Sequence, residues 1–344
     1  MGRVLLVTGV CRDLGGRYAR RLAGHPAVDR VIGVDVVPPR HDLGDVRFVR
    51  ADIRNPVIAK VMAAEDVDTV VHLGVIATPL GAGGRTLMKE INVIGTMQLL
   101  AACQRASGVK RLVVKSSAHV YGASPNDPAM FTEDMAPKRT PRSGFGKDSV
   151  EVEGYVRGFA RRRPDVTVTM LRCANLMGPQ IETSLTRYFS LPVVPTVLGY
   201  DARLQFCHEE DALAALERAA VSGVDGTFNV AGDGVLMLSQ AVRRAGRPEL
   251  PLPPALLSAL GSALPQLRGA EMSAEQVSFL TYGRGIDTRQ LRTTFGFEPR
   301  FSTADAFTAF ARRVRPGVVN SARLEQWERQ AQEAVSQVVS HARR

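Results

Sequence analysis

The chain of 344 residues has few cysteines, few aromatic residues and no long apolar run. Its four cysteines are scattered without a CxxC pair, which argues against a disulfide framework or a metal site and favours reduced thiols. Aromatic residues make up 6% of the chain, and none interleave with the basic clusters as a platform for single-stranded nucleic acid requires. No apolar run approaches the roughly 20 residues that span a bilayer, and the chain opens on a strand pattern instead of a signal peptide. We therefore expect a cytoplasmic globular protein.

Positive charge is in excess, with 44 Lys and Arg against 34 Asp and Glu and a net charge of +10. A basic surface attracts nucleic acid, anionic lipid or anionic metabolites. The arginine clusters at 161–163 and 343–344 lie near predicted helix ends, where they complement the helix dipole and face solvent. We expect no sequence-specific nucleic-acid partner. The positive charge is the only feature of the sequence that suggests contact with RNA or with a membrane surface.

Residues 3–16 combine an apolar strand, a glycine turn and the start of a helix. Gly9 permits the tight turn, and Gly15 or Gly16 lets the helix pack close to the strand. About twenty residues after the turn, a second strand ends in Asp35, whose carboxylate can accept hydrogen bonds from a ribose. This order is typical of a dinucleotide-binding βαβ unit, which places a pyrophosphate at the helix N-terminus.

Arg12 stands where the middle glycine of this motif is expected. Its side chain either crowds the approach of the phosphates to the backbone or binds a phosphate through its guanidinium. Asp35 favours NAD, because a carboxylate repels the 2′-phosphate of NADP. Arg12 and Arg40 argue weakly for NADP, since arginine pairs with phosphate.

Apolar runs alternate with helical patterns through the first half of the chain, which predicts an α/β fold with a doubly wound parallel sheet, the Rossmann fold. The runs are nearly continuous in Val, Leu and Ile, as expected when helices cover both faces of a sheet. Predicted strands lie at 3–8, 29–34, 46–50, 68–74, 111–116, 166–172 and 227–230, and predicted helices at 14–24, 56–64, 85–106, 147–163 and 206–221.

The alternation loosens after about residue 178, which suggests three parts of the chain. Residues 1–178 form the nucleotide-binding domain, to which the chain returns at about 203–232; residues 179–310 mainly form a substrate-binding lobe, and 311–344 a helical tail. Segment 250–267 is apolar and broken by prolines, and forms either a helix of the lobe or a hydrophobic wall for a substrate. Segment 320–342 docks on the body, mediates a dimer or extends into solvent.

Several further segments resemble the extended short-chain dehydrogenases/reductases, the NAD-dependent epimerase/dehydratase family. Within it, the chain is similar to an actinobacterial branch that is UDP-glucose 4-epimerase-like. The resemblance implies a Rossmann fold with a small C-terminal substrate lobe, NAD as cofactor, a homodimer formed through two helices, and a nucleotide sugar as the common substrate. The segments that carry it are 67–74, 92–96, 116–122, 172–179, 205–211, 226–230, 287–292 and 296–299.

The resemblance also implies a set of cofactor-binding positions. In addition to the glycine turn, it implies that Asp52 and Ile53 contact the adenine and that the segment from Arg172 to Pro179 lines the nicotinamide. Asn92 has the alternative role of a polar residue that bonds backbone inside its helix. The expected cofactor-binding residues are Gly9, Arg12, Leu14, Gly15, Asp35, Asp52, Ile53, Leu73, Gly74, Val75, Asn92, Lys147, Cys173 and Asn175.

Catalysis in the family implies a serine at the end of the fifth strand and a tyrosine four residues before a lysine, which share a helix face. Here Ser117 takes the serine position, Lys147 the lysine position and Ser143 the tyrosine position. A serine hydroxyl is a far weaker acid than a phenol, so Ser143 is a poor substitute. Tyr121 is a candidate replacement, and His119 a candidate proton relay, because residues 117, 119 and 121 share a face if the strand continues. The alternative for Tyr121 and His119 is packing at the strand end, and the alternative for Lys147 is an ordinary exposed lysine at the start of a helix.

Two functions remain open on the sequence. The first is an NAD-dependent oxidoreductase or epimerase that acts on a hydroxyl-bearing metabolite, with altered proton transfer. The substrate is then a nucleotide sugar, with Arg203 and Arg284 as candidate diphosphate ligands, or a hydrophobic alcohol bound against segment 250–267. The second is a non-catalytic NAD-binding sensor or scaffold, supported by the missing tyrosine.

Overall fold

A central parallel sheet of seven strands organises the fold, which was analysed in a computed structural model that describes residues 2–39, 41–77, 83–141, 144–257 and 273–314. Its strands are β1 (Arg3–Thr8), β2 (Val28–Asp35), β3 (Arg47–Arg50), β4 (Thr69–His72), β5 (Arg111–Ser117), β6 (Thr167–Cys173) and β11 (Gly226–Val230). Across the sheet they lie in the order β11-β6-β5-β4-β1-β2-β3.

Helices cover both faces of this sheet, which confirms the predicted doubly wound fold. Side chains of α1 and α7 pack in a core on one face, and those of α2, α4 and α5 pack in a core on the other. Strand β1 shows why the chain folds this way: Leu5, Leu6 and Val7 are all fully buried, because neighbouring residues face opposite covered sides. The helices are α1 (Asp13–Ala23), α2 (Val57–Ala64), α3 (Arg85–Lys89), α4 (Thr96–Arg105), α5 (Gly144–Arg162) and α7 (Glu209–Ser222).

A smaller core lies beside the sheet and is built from the later part of the chain. It combines three two-stranded pairs with short helices. Its elements are β7 (Asn175–Met177), α6 (Ser184–Phe189), β8 (Val194–Val197), β9 (Arg203–Leu204), β10 (Phe206–His208), β12 (Leu236–Met237), α8 (Leu238–Arg244), β13 (Glu249–Leu252), α9 (Ala274–Tyr282) and α11 (Thr303–Arg313); α10 (Arg289–Thr293) packs near β11. The predicted domain limits stay predictions.

The predicted strands of the sheet match the observed ones to within two residues at each end. Two details differ. The predicted helix 85–106 contains a π-helical turn, Glu90–Gly95, between α3 and α4, and the predicted helix 206–221 begins instead as β10. Segment 320–342, most of segment 250–267, Arg40 and Ser143 lie outside the described residues.

The strand order places a crevice at the carboxyl ends of β1 and β4. Strand β1 pairs with β2 on one side and β4 on the other, so successive connections leave in opposite directions there. Such a reversal is where doubly wound folds bind ligands. Strand β5 ends nearby at Ser117, and a 3-10 turn, Ala118–Tyr121, follows it.

Candidate active site

The glycine turn after β1 has the tight geometry that the sequence predicts. Gly9 has a φ of +82°, and a Cβ there would lie 2.8 Å from the Cα of Gly74. Gly15 leaves no room for a Cβ, which would overlap the Gly9 carbonyl. Helix α1 can therefore pack closely against β1, and its N-terminus opens into the crevice.

Arg12 crosses the crevice from the start of α1 to the segment after β4. Its Nη1 donates a hydrogen bond to the carbonyl of Val75 at 3.2 Å. Burial lowers the pKa of Arg12, and the negative charge of Asp35 opposes that shift. Asp35 itself accepts hydrogen bonds from the backbone N–H of Cys11, at 3.0 Å, and of Val36, at 2.8 Å. No carboxylate lies within ion-pair distance of the Arg12 guanidinium in the described part of the chain.

A cavity of about 940 Å³ runs from the glycine turn past the ends of β4, β5 and β6 to the smaller core. Of the expected site residues, it is lined by Gly9, Arg12, Leu14, Gly15, Leu73, Val75, Ser117, Cys173 and Asn175. Its wall does not include Asp35, Asp52, Ile53, Gly74, Asn92, Tyr121 or Lys147.

Two of these outlying residues, Asp52 and Asn92, have their side chains engaged within the protein. Asp52 forms a close ion pair with Arg54, with a shortest distance of 2.6 Å. Asn92 is fully buried in the π-helical turn, where its side chain accepts a hydrogen bond from the N–H of Ile76 at 2.6 Å and donates one to the carbonyl of Ile76 at 2.8 Å. Asn92 thus holds the loop after β4, which agrees with the backbone-bonding alternative.

Ser117 and His119 form a hydrogen-bonded pair in the cavity wall. Ser117 Oγ lies 2.8 Å from His119 Nδ1, and the backbone N–H of His119 also donates to Ser117 Oγ at 3.3 Å. The His119 ring packs between Phe145, at 5.3 Å between ring centroids, and Phe279, at 6.4 Å. Burial lowers the pKa of His119 well below its ordinary value, and the positive charges of Arg284 and Lys115 lower it further. The imidazole is therefore neutral at neutral pH.

Tyr121 does not join this pair, which corrects the expectation from the sequence. Strand β5 ends at Ser117, and the 3-10 turn directs Tyr121 into the interior, where it is 1% exposed. Its hydroxyl donates to Asn229 Oδ1 at 2.9 Å and accepts from Arg172 Nη1 at 2.7 Å. Its ring stacks on Phe131 at 4.6 Å. The expectation failed because the alternation of a strand does not extend through a 3-10 turn.

Of the two positions predicted for the tyrosine and the lysine, the structure describes only Lys147, and it agrees with the alternative of an exposed lysine. Lys147 is 43% exposed on its side chain, outside the cavity wall, and its ammonium lies 3.9 Å from Glu151. The residue of α5 that lines the cavity beside His119 is Phe145. Four residues later on the same helix face is Ser149, which is buried and donates to the carbonyl of Phe145 at 2.8 Å. Ser143, the predicted tyrosine position, lies outside the described residues.

Two acidic groups brace the start of α5. Asp148 is fully buried and accepts two hydrogen bonds of 2.6 Å each from the guanidinium of Arg85. Glu275, from α9, accepts the N–H of Gly146 at 3.1 Å and 3.3 Å through its two oxygens. A Cβ at Gly146 would collide with this carboxylate. The carboxyl group of Glu275 lies in the cavity wall, and burial raises its pKa.

The two arginines expected to bind a diphosphate differ in burial. Arg203 is exposed, whereas Arg284 is 8% exposed. Burial lowers the pKa of Arg284 to about 10. Its Nε and Nη1 have no hydrogen-bond partner among the described residues, and its guanidinium lies 5.1 Å from the ring centroid of Phe279. Arg284 is not one of the residues that line the cavity, and the negative charges of Glu275 and Asp127 oppose the lowering of its pKa.

A family model matches residues 5–231, which span the glycine turn, the sheet and the Ser117–His119 pair. Its description is the NAD dependent epimerase/dehydratase family. The chain belongs to this family. NAD is thus its cofactor, as Asp35 suggested.

Relatives and solved structures agree with this assignment. An uncharacterized protein of Mycobacterium tuberculosis (strain ATCC 25618 / H37Rv) is 50% identical over 334 residues, which cover 96% of this chain and 89% of that protein. This similarity agrees with the expected actinobacterial branch. D-erythronate dehydrogenase of Cupriavidus necator is 25% identical over 67% of this chain and 73% of its own.

Among solved structures, UDP-glucose 4-epimerase of Thermotoga maritima, with UDP-glucose, has a TM-score of 0.70 at 17% identity and covers 90% of this chain and 98% of its own. MoeE5, in complex with UDP-glucose and NAD, has a TM-score of 0.69 at 22% identity, with coverage of 91% and 98%. At these identities the likeness concerns the fold.

The residues present fit the cofactor of the family. The crowded Gly9 and Gly15 leave the backbone at the start of α1 open to a pyrophosphate, and Asp35 stands at the end of β2 for a ribose. Arg12 is the one departure at this end of the cavity. At the other end, Phe145 and Ser149 have the four-residue spacing of the family's tyrosine and lysine on α5, and they carry neither a phenol nor an ammonium.

Among the cavity residues that the sequence did not single out, Lys115, Phe145 and Glu275 matter most for the chemistry at the Ser117 end. Lys115 had a signal, because a lysine inside an apolar strand, two residues before Ser117, faces the same side as that serine. Phe145 was passed over because it has no hydroxyl, although its helix position decides what faces His119. Glu275 had no signal, because its approach to α5 depends on packing between parts of the chain that are distant in sequence.

Among the described helices, none combines the length and the hydropathy that a membrane span requires.

Proposed function

We propose that this protein is an NAD-dependent oxidoreductase or epimerase that acts on a hydroxyl of a nucleotide sugar, with Ser117 and His119 as its proton-transfer pair. The observation that carries the proposal is the 2.8 Å hydrogen bond between Ser117 Oγ and His119 Nδ1 in the cavity wall. No hydroxyl of α5 takes the tyrosine's place on this wall in the described residues, because the cavity-lining residue there is Phe145.

The proton path follows from this geometry. The substrate hydroxyl donates to Ser117 Oγ, whose own proton passes to His119 Nδ1 as the C–H bond breaks. NAD, when bound, supplies a hydride acceptor for that carbon. The neutral His119 imidazole accepts the proton at Nδ1 when its own proton is on Nε2, and its lowered pKa makes it a weak base that returns the proton readily. Return of the proton along the same path restores the hydroxyl. The pair therefore serves both an oxidation and its reversal.

Arg284 gives indirect support to a nucleotide sugar as the substrate class. It is not one of the residues that line the cavity, but its positive charge acts on His119 and Glu275, which do line it, and two of its donors have no hydrogen-bond partner among the described residues. Arginine binds diphosphate through charge-assisted hydrogen bonds, which would compensate the burial of Arg284. The similar structures of MoeE5 hold UDP-glucose or UDP-glucuronic acid, which makes these two compounds the first to test.

Arg12 fits the same proposal as a ligand of the cofactor pyrophosphate. Its guanidinium bonds only a neutral carbonyl among the described residues, although it lies at a helix N-terminus that favours anions. We infer that the Arg12 guanidinium leaves the Val75 carbonyl and binds the pyrophosphate. This contact takes the place of the close approach between backbone and phosphate that a glycine would allow.

A homodimer through two helices is part of the proposal. Ile94, on the π-helical turn, and Tyr155, on α5, are 42% and 40% exposed and provide apolar surface on neighbouring elements. Light scattering in solution tests this part: a mass of one chain would contradict it.

The second candidate is a non-catalytic NAD-binding sensor or scaffold. Phe145 and Ser149 favour it, because together they remove a phenol and an ammonium from the face of α5 that fronts the cavity. One experiment separates the two candidates. The nucleotide-stripped protein is loaded with NAD and mixed with UDP-glucose or UDP-glucuronic acid, and the absorbance of reduced nicotinamide and the sugar products are measured. Reduced cofactor or a converted sugar supports the enzyme; tight NAD binding without either supports the sensor.

A further inference from the structure

Lys115 is a cation in the cavity wall that neither the family description nor the proposed chemistry explains. It lies on β5, two residues before Ser117, so both side chains face the same side of the strand. Both line the cavity. In the described ranges, the Lys115 ammonium has no hydrogen bond and no carboxylate within ion-pair distance.

Two other cations of this cavity wall have carboxylate partners. Arg85 is paired with the buried Asp148, and Arg187 lies 3.0 Å from Glu182. Among the described residues, Arg12 bonds only the Val75 carbonyl, but it lies at the glycine-turn end of the cavity. Lys115 therefore brings a positive charge, unpaired within the described ranges, to the Ser117 end of the cavity.

That charge acts at the reacting end. The Lys115 ammonium lowers the pKa of the buried Cys173 thiol and of His119, after larger effects from other causes, so it is close enough to influence both groups. Both groups line the cavity together with Ser117. A cofactor with its ribose at Asp35 and its pyrophosphate at the glycine turn extends in this direction, across the ends of β4 and β5.

We propose that Lys115 sets the redox preference of the bound dinucleotide by favouring its reduced form. The nicotinamide ring carries a positive charge when oxidised and none when reduced, so a nearby ammonium disfavours the oxidised ring. The inference rests on the proposed function in that it needs the dinucleotide in this cavity. Its consequence is that the bound cofactor takes hydride from an alcohol more readily than the free cofactor does.

Binding measurements test this role without a substrate. Nucleotide-stripped protein is titrated with NAD and with NADH in a calorimeter. We expect NADH to bind roughly tenfold more tightly or more, which corresponds to a rise of about 30 mV in the potential of the bound two-electron couple. Lys115→Met should bring the ratio of the two affinities close to one, whereas Lys115→Arg, which keeps the charge, should preserve it.

Lys147→Met is the matched control, because it removes the same charge from an exposed lysine outside the cavity wall. It should leave the ratio unchanged. Equal affinities in the wild-type protein, or an unchanged ratio in a Lys115→Met variant whose thermal unfolding shows it to be folded, would overturn the inference. Failure of the wild-type protein to bind either form would overturn the dinucleotide site itself, and the inference with it. Binding of both forms with no sugar turnover would count against the proposed function alone.

Discussion

The end of β5 and the start of α5 are neighbouring parts of one cavity wall, where the ring of His119 meets that of Phe145, and they differ in chemistry. The β5 side carries an ammonium, a hydroxyl and an imidazole, in Lys115, Ser117 and His119. The α5 side presents the Phe145 ring, while the one nearby lysine, Lys147, is exposed outside the cavity. Candidate proton-transfer groups are therefore identified from the side chains that line the cavity. The spacing of a motif along a helix does not identify them.

The largest expected effect breaks the β5 side of this comparison. His119→Ala should lower sugar turnover by roughly 10²- to 10⁴-fold, because the pair loses its proton acceptor. Steady-state conversion of UDP-glucose or UDP-glucuronic acid measures it, with NAD affinity as the check that the cavity is intact. Lys147→Ala, on the α5 side, should keep its turnover. An active His119→Ala variant would remove the proton path.

Another histidine, His72 on β4, makes the stability of the protein depend on acid pH. Hydrogen bonds join both His72 nitrogens to Thr8 and Thr96, at 2.8 Å and 2.9 Å, and burial lowers the pKa of His72 to about 4. The unfolded chain takes up a proton near pH 6.5, whereas the folded chain does so near pH 4. Stability from this group is complete above about pH 6.5 and should fall by about 3 kcal/mol as the pH drops to about 4.

Denaturant unfolding at several pH values measures this loss. His72→Gln removes the titrating group, so its unfolding free energy should depend less steeply on pH over the same range. An equal slope in the variant and the wild-type protein would mean that His72 is charged in the folded state.

Arg12→Gly tests the glycine-turn end of the cavity, away from the β5 and α5 sides. The substitution restores the glycine of the motif but removes a guanidinium, and we expect NAD to bind about tenfold more weakly, because a charge-assisted contact to phosphate is lost. The salt dependence of binding should also weaken. Calorimetric titration at two salt concentrations measures both, with Arg12→Lys as the charge-keeping control. Tighter binding by Arg12→Gly would show that the arginine obstructs the cofactor.

The smallest effect concerns the α5 side. In a His119→Ala background, Phe145→Tyr should restore only a few-fold of turnover, because Ser149 cannot supply the positive charge that lowers the pKa of a phenol. The double variant is compared with His119→Ala alone in the sugar assay. Recovery to the wild-type rate would show that a phenol acts here without a lysine.

Much of the fold was predictable, because its signals are local. The Val- and Leu-rich runs gave the strands of the sheet, and Gly9, Gly15 and Asp35 in their order gave the βαβ unit. Gly9 and Gly15 were identifiable because a Cβ at either position collides with backbone, which is a constraint on the chain itself.

The reacting end was less predictable, because its geometry depends on where elements begin and end. Tyr121 was misplaced since the sequence does not show that β5 gives way to a 3-10 turn after Ser117. Lys147 was misplaced because the rotation of α5 about its axis is set by packing, with Phe145 against His119 and the Gly146 N–H against Glu275. These contacts join residues far apart in sequence, and no local pattern specifies them.

The most direct test of the account makes one identical change on each side of the cavity. NAD-loaded wild-type protein, Ser117→Ala and Ser149→Ala are mixed with UDP-glucose, and the formation of reduced nicotinamide is followed in a single turnover. We expect the wild-type protein to reduce its NAD. The rate of reduction should fall by roughly 10²-fold or more in Ser117→Ala and stay at the wild-type value in Ser149→Ala. Loss in Ser149→Ala with activity retained in Ser117→Ala would contradict the account and place the proton chemistry on α5.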